Sequence, residues 1–153
     1  MIIYIGADHR GFNLKESLKQ YLQSNGYVVS DVGNKALDPN DDYPDFISLV
    51  AEKISANPEG AKGIIICGSG IGANMVANKF PRVRSALVMN ADQAYLSRHD
   101  NNANTIAFAA DFIDDHSAKM ALATWLQTSF SKEPRHIRRN QKIRDIEFKT
   151  KLL

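Results

Sequence analysis

Hydrophobic residues in this chain follow two alternating rhythms. One is the short, nearly unbroken apolar run: "IIYIG" (2–6), "YVVSDVG" (27–33), "GIIIC" (63–67), "RSALVMN" (84–90) and "NTIAFAA" (104–110). Such runs predict strands covered on both faces, since a half-exposed strand would alternate apolar with polar residues. The other rhythm is the helical spacing of three and four. Residues 12–24 place Leu14, Leu18, Tyr21 and Leu22 on one helical face, with Gly26 as the stop signal. Residues 46–56 and 72–79 predict two further helices, the second ended by Pro81, and 91–100 a fourth. Ala118, Ala121, Leu122 and Trp125 form an i, i+3, i+4, i+7 stripe. Residues 135–148 predict a last, charged helix with Pro134 at its start. Between these, "NKALDPNDDYPDF" (34–46) is polar, carries two prolines and reads as a loop, and "NPEGAKG" reads as a turn.

Regular alternation of buried strands with helices predicts an α/β fold: a three-layer αβα sandwich around a five-stranded parallel, Rossmann-like sheet, with a C-terminal helix. There is no internal repeat, and 153 residues suit a single domain over 1–153. The formal net charge of +2 is too small to point to nucleic acid. No apolar run approaches the ~20 residues that span a bilayer, and "MIIYIGADHR" lacks the basic region of a signal peptide. A single cysteine allows no intramolecular disulfide, which fits a cytoplasmic setting.

In open parallel sheets ligands bind beyond the carboxyl ends of the strands. Chemistry is therefore expected in "GADHRG", "DVGN", "CGSGIG", "MNADQ" and "FAAD". The third of these joins the only cysteine to three glycines and a helix start. A Gly-rich turn opening a helix offers free backbone N–H groups to an anion. Gly68, Gly70 and Ala73 meet a loose dinucleotide pattern, but at the third strand rather than the first, and no Lys follows as a Walker loop requires. Cys67 reads either as a buried structural thiol or as a thiol activated by the helix N-terminus. Ser69 reads as a helix cap or as a hydrogen-bond partner of the sulfur. Asp8 and His9 suit a helix cap and an exposed imidazole, or ligand contacts at a strand end. Tyr43 and Asp45 flank Pro44 in what is otherwise a loop motif, and "SRHDNNANT" reads as a structural turn. Arg135 and Arg139 share one helical face and suit a phosphate gripped by two guanidiniums.

Taken together, "GADHRGFNLK", "DYPDF", "CGSGIGANMVANK", "RVRSAL", "NNAN" and "PRHIRRNQKI" resemble the type B ribose-5-phosphate isomerases and the related galactose-6-phosphate isomerase subunits, almost end to end. The resemblance implies an aldose–ketose isomerase that interconverts ribose 5-phosphate and ribulose 5-phosphate. Cys67 then matches the base that moves a proton between C1 and C2, and it stands alone because Ala73 occupies the place where some relatives use Glu. Ser69 matches a hydroxyl beside the base. The backbone N–H groups of 68–72, with Gly68, Gly70, Ile71 and Gly72, match an anion hole for the enediolate. Asp8 matches a hydroxyl ligand, Tyr43 a pocket wall, Asn101 a ligand of the reacting oxygens, and His9, Arg135 and Arg139 phosphate ligands. The family implies no metal and no organic cofactor, and a site shared by two subunits of a homodimer that pairs in some cases into a tetramer. No nucleic-acid or membrane partner is implied.

Two positions depart from the family pattern. Asp100 stands where a ring-opening His is usual, with His99 one residue earlier. Asp100 would do acid–base work if burial raised its pKa, or ring opening would go uncatalysed. Asp111 stands where an Arg often meets phosphate, and a carboxylate there is expected to repel it. A six-carbon aldose 6-phosphate, of the allose or galactose type, is the alternative substrate. A sugar-phosphate or nucleotide-binding module without turnover is the alternative class.

Overall fold

The computed structural model describes residues 1–150. Five strands and six helices follow in the order β1 (Ile2–Ala7), α1 (Phe12–Ser24), β2 (Val28–Asp31), α2 (Tyr43–Ala56), β3 (Ala61–Cys67), α3 (Ile71–Ala77), β4 (Ser85–Leu87), α4 (Ala91–His99), β5 (Thr105–Ala109), α5 (Asp115–Gln127) and α6 (Pro134–Thr150). All strands pair in parallel, in the spatial order β2-β1-β3-β5-β4. The expected αβα sandwich is present.

The sheet separates two apolar layers. On one side Leu18 and Leu22 of α1, Ala94 of α4 and Ala118, Ala121, Leu122 and Trp125 of α5 pack against Ile3, Ile5, Ile64, Ile66, Ile106 and Phe108. On the other, Ile47, Val50, Ala51 and Ile54 of α2 and Ala73 and Ala77 of α3 cover Ile65, Ala107 and Cys67. Adjacent residues of β3 thus point to opposite layers, and both layers are dry, which is why "GIIIC" is apolar without alternation. The chain reverses direction across the sheet beside β1, whose neighbours are β2 and β3. Such a reversal opens a crevice at the carboxyl ends, and Asp8 and Cys67 lie at those two ends.

Several boundaries differ from expectation, three of them around the sheet's carboxyl edge or its margin. The second helix starts at Tyr43 rather than 46, because Pro44 occupies its first turn, where the missing N–H costs nothing, and Asp42 precedes it in extended conformation. The third spans Ile71–Ala77 and is shorter than 72–79. β4 is confined to Ser85–Leu87, since as an edge strand it pairs only with β5.

One buried charge is built into the frame. Lys15 is fully buried, and its Nζ donates to Asp31 Oδ2 at 2.7 Å, Glu16 Oε1 at 2.8 Å and the Asn34 carbonyl at 3.0 Å. All three ammonium protons are satisfied, as a buried charge requires. No helix among the described residues is long and apolar enough to cross a membrane.

Candidate active site

The carboxyl edge of the sheet gathers the first group of expected residues. Asp8 follows β1 directly and is almost fully buried; its Oδ1 accepts from the Gly11 N–H at 2.9 Å, which ties the turn into α1. Burial pushes its carboxyl up, with that N–H pulling the other way. His9 follows. Its backbone N–H donates to Asp41 Oδ1 at 2.8 Å, and its ring Nδ1 pairs with the same oxygen at 2.7 Å. The Asp41 carboxylate holds the imidazole above its ordinary pKa, with Asp8 adding to the effect.

Cys67 closes β3 opposite Ala109 of β5, nearly buried in the α2–α3 layer. The loop after it turns on Gly70, whose φ of +70° L side chains avoid and whose missing Cβ leaves room for Leu87. The Ser69 hydroxyl accepts from the Ile71 N–H at 3.3 Å. This is a local turn bond one residue before the cap position of α3, which falls on Gly70. Three side chains wall the loop. A Cβ on Gly72 would come within 2.6 Å of Tyr43 Cζ, and one on Gly68 within 2.6 Å of Arg10 Nε and 2.7 Å of Asp111 Oδ2. Tyr43 therefore flanks the helix side of the loop.

Arg10 and Asp111 form an ion pair over Gly68. The Asp111 N–H donates to the Gly68 carbonyl at 3.0 Å, which fixes the carboxylate there. The expectation that Asp111 presents a bare negative charge to phosphate is thus corrected: Arg10 neutralises it.

The second group of expected residues lies at the opposite edge. Asp100, Asn101 and Asn102 connect the end of α4 to the start of β5. Asn102 has φ +49°, and two guanidiniums hold this bend. Arg84 Nε donates to the Asn102 carbonyl at 2.8 Å, and Arg98 donates to Asn102 Oδ1 at 3.0 Å and to the Ala103 carbonyl at 2.6 Å. The first two turns of α6 dock here: Asn140 Nδ2 donates to the Asp100 carbonyl at 3.4 Å, and the ring of buried His136 stands edge-on to His99 with centroids 6.0 Å apart. Arg135 is close enough to act on Asp100 and pairs with Glu133 at 2.8 Å. Along β5 alone the two groups are separated by about 15 Å at ~3.3 Å per residue. Within one chain, Asn101, Asp100, His99, Arg135 and Arg139 do not join Cys67 and His9.

Asp100 behaves opposite to expectation. Its Oδ1 pairs with His99 Nδ1 at 2.7 Å, and this hydrogen bond holds the carboxyl below its ordinary pKa. His99 and Asp100 act as one unit, with His99 stacked on Tyr95 at 4.9 Å. His99, Asp100 and His136 are the one group among the described residues whose ligand atoms lie within 4.8 Å of one another, as a metal needs. Two of the three are joined to each other through His99 Nδ1 and Asp100 Oδ1, and His136 Nδ1 meets Ser131 Oγ at 2.7 Å.

One well-formed groove lies away from Cys67. A cavity of about 840 Å³ lies between β4, the bend at Asn101 and α6, lined by Phe80, Val83, Ala103, Ile143 and Ile146. Ile143, Ile146 and Phe148 leave α6 with an exposed apolar flank.

With this geometry in place, the match to known proteins is specific. Residues 3–143 fit the model of a family described as ribose/galactose isomerase. The chain belongs to the ribose/galactose isomerase family. Among its relatives, the probable ribose-5-phosphate isomerase B of Mycoplasma genitalium is 39% identical over 141 residues, 92% of each chain. The ribose-5-phosphate isomerase B of Mycobacterium tuberculosis is 38% identical, over 91% of this chain and 85% of that one. The crystal structure of the Mycoplasma genitalium protein with bound ribulose 5-phosphate superimposes with a TM-score of 0.93 at 38% identity, covering 95% of both chains. The Clostridium thermocellum ribose-5-phosphate isomerase B gives 0.93 at 39% identity, covering 98% and 99%.

Sequence reasoning gave no role to Arg10 or Asp41. Arg10 stands inside the quoted "ADHRG", and its partner is 101 residues away. Asp41 belongs to the stretch assigned as loop, where only its position two residues before Tyr43 hinted at the site.

Proposed function

We propose that this member of the ribose/galactose isomerase family interconverts ribose 5-phosphate and ribulose 5-phosphate, with Cys67 as the proton-transfer base, in a site completed by a second copy of the chain. The observation that carries this reading is the lone Cys67 at the head of the glycine loop, with Asp8 and His9 on the adjacent strand end. A protein that merely bound sugar phosphate would need no base there. The ligand in the Mycoplasma genitalium structure supports the choice of substrate.

The chemistry follows from the placement. The Cys67 thiolate takes the proton from C2 of the open-chain aldose, and the resulting thiol returns it to C1. A second proton passes from O2 to O1, so the aldehyde becomes an alcohol and C2 a ketone. Negative charge on O1 and O2 of the enediolate faces the N–H groups of the 68–72 loop and Asn101 of the second copy. Each well-aimed donor of this kind contributes about 3 kcal/mol to the barrier reduction. Asp8 accepts from sugar hydroxyls, Ser69 shapes the loop beside the base, and Tyr43 closes one side. His9 binds the phosphate with Arg135 and Arg139 of the second copy. The His99–Asp100 pair assists ring opening: Asp100 engages Nδ1, leaving Nε2 to exchange a proton with the ring oxygen.

The need for a second copy is supported by the two half-sites at opposite edges of one sheet and by the apolar flank of α6 beside the groove at β4. A closed two-fold dimer has two such composite sites. The reading takes residues 1–153 as one domain, needs no metal or organic cofactor, and places the enzyme in the cytoplasm, in pentose phosphate metabolism.

The test is a coupled assay across five- and six-carbon aldose phosphates, together with exchange of the C2 proton into deuterated water. Ribose 5-phosphate should be the best substrate, and Cys67→Ala should lower turnover by at least ~10²-fold. Wild-type exchange in that variant would remove Cys67 from the mechanism, and a preference for an aldose 6-phosphate would move the chain to the six-carbon reading.

A further inference from the structure

A continuous polar chain runs from the buried frame to His9. Lys15 Nζ donates to the Asn34 carbonyl at 3.0 Å, and Asn34 Nδ2 donates to Asp41 Oδ2 at 3.0 Å. The other oxygen, Oδ1, takes both the backbone N–H and the ring Nδ1 of His9. The Asp41 side chain is only 8% exposed, while His9 is 29% exposed. Every lone-pair direction Asp41 uses is therefore aimed inward, and one side of the imidazole is tied down while the rest faces solvent at the strand end. Two residues further on, Tyr43 begins α2 and packs against Gly72. The 34–42 segment thus fastens both His9 and the glycine loop.

We propose that Asp41 is a positioning residue for the phosphate grip: it fixes the His9 ring through Nδ1, so that Nε2 alone faces the substrate, and it supplies the negative charge opposite the imidazolium. This deepens the isomerase reading and rests on it, since it takes His9 to be a phosphate ligand. A neutral His9 would keep its one proton on Nδ1 for Asp41 and present only a lone pair to phosphate, which repels it. A charged His9 donates from both nitrogens. Within its own chain the charged groups facing His9 are Asp41, from the segment before α2, and Asp8, which follows β1; both favour the charged ring, while Arg135 and Arg139 of the second copy oppose it in the composite site until phosphate is bound. The neighbouring Arg10 is engaged by Asp111. Asp41 in turn is pushed up by burial, but the two His9 hydrogen bonds outweigh this and hold it low, so it stays ionised. The grip is accordingly present below the raised pKa of His9 and is lost as pH rises through it.

Asp41→Asn keeps an oxygen for the His9 N–H and ring while removing the charge; Asp41→Ala removes both. The experiment measures the His9 titration by 15N NMR in the free protein, and KM and kcat for ribose 5-phosphate from pH 6 to 9. It uses wild type, both Asp41 variants and His9→Ala. The phosphate ester titrates in the same range, so variant-to-wild-type ratios are compared and its contribution cancels. In Asp41→Asn the His9 midpoint should fall toward the ordinary value. KM should rise at pH values above the variant's His9 midpoint, by up to about tenfold, the size of one lost charge-assisted hydrogen bond, and much less below it, with the loss in KM rather than kcat. In Asp41→Ala the ring also loses its orientation, so KM should rise at pH 6 too. An unchanged His9 midpoint in Asp41→Asn, or a KM ratio equal above and below the variant's midpoint, overturns the proposal. A lowered midpoint with wild-type KM in every variant, His9→Ala included, overturns the reading of His9 as a phosphate ligand, and the proposal with it.

Discussion

Two inactive variants of this chain should restore each other. Cys67 lies at the carboxyl edge of the sheet, opposite Ala109 in register, whereas Asn101 lies four residues before Thr105, where β5 starts. The length of β5 puts them about 15 Å apart at ~3.3 Å per residue. An open pentose phosphate, seven bonds of about 1.5 Å from O1 to phosphorus, reaches no more than ~9 Å. On the proposed reading both residues touch one substrate; a single chain cannot supply both, so that reading takes Cys67 from one copy and Asn101 from the other. Cys67→Ala alone should lose at least ~10²-fold in turnover for want of a base, and Asn101→Ala a similar factor for want of a donor to the reacting oxygens. In a mixed dimer both lesions fall in one site, and the other site is intact. Random pairing makes half the dimers mixed, so about a quarter of the wild-type sites return in a two-fold assembly. The assay is co-expression with two different tags, purification through both, native mass spectrometry to verify the mixed dimer, and turnover of ribose 5-phosphate. The doubly purified species should show about half of wild-type activity per dimer. A verified mixed dimer no more active than the single variants would refute the shared-site argument, whatever the role of Cys67.

Further consequences concern charge. Burial, reinforced by the charge of Arg98 and opposed by Glu59, lowers Lys62 to about 8. The folded state releases this proton more readily than the unfolded chain, so stability should rise as pH climbs from about 8 toward the unfolded value near 10.4. Lys62→Met should therefore gain about 1 kcal/mol at pH 7, discounted for its partial exposure, and no such gain near pH 11; urea unfolding at both pH values checks this, and a loss at pH 7 contradicts it. For the Arg10–Asp111 pair, Arg10→Ala should leave Asp111 uncompensated over the glycine loop and raise KM for ribose 5-phosphate by up to about tenfold, with stability changed by less than ~1 kcal/mol because the pair is partly exposed. The double variant with Asp111→Ala should recover most of that loss; a double variant as poor as Arg10→Ala would show that Arg10 acts on its own rather than by neutralising Asp111.

What the sequence made legible was what is local. The layered fold followed from strands apolar on both faces, and Cys67 with its glycine loop from residues adjacent in the chain. The order β2-β1-β3-β5-β4 did not follow, because parallel pairing is decided by contacts across crossovers that leave no mark in any one segment. "DYPDF" read as loop because Pro is both a breaker and a favoured first-turn residue; only the extended Asp42 before it decides which. The site residues that escaped notice act through distant partners: Asp41 on a histidine 32 residues earlier, Arg10 on a carboxylate 101 residues later. The two departures from the family pattern show why isolated positions mislead. Asp111 considered alone is a charge hostile to phosphate, and Asp100 alone is an acid waiting for burial. Each has its partner within hydrogen-bonding reach, a guanidinium in one case and an imidazole in the other. The unit that carries charge at each place is the pair, and a pair has a different net charge and proton affinity from either member. Substituting one member of such a pair tests the partner left behind as much as the residue removed, so both members must be varied together before either is given a role.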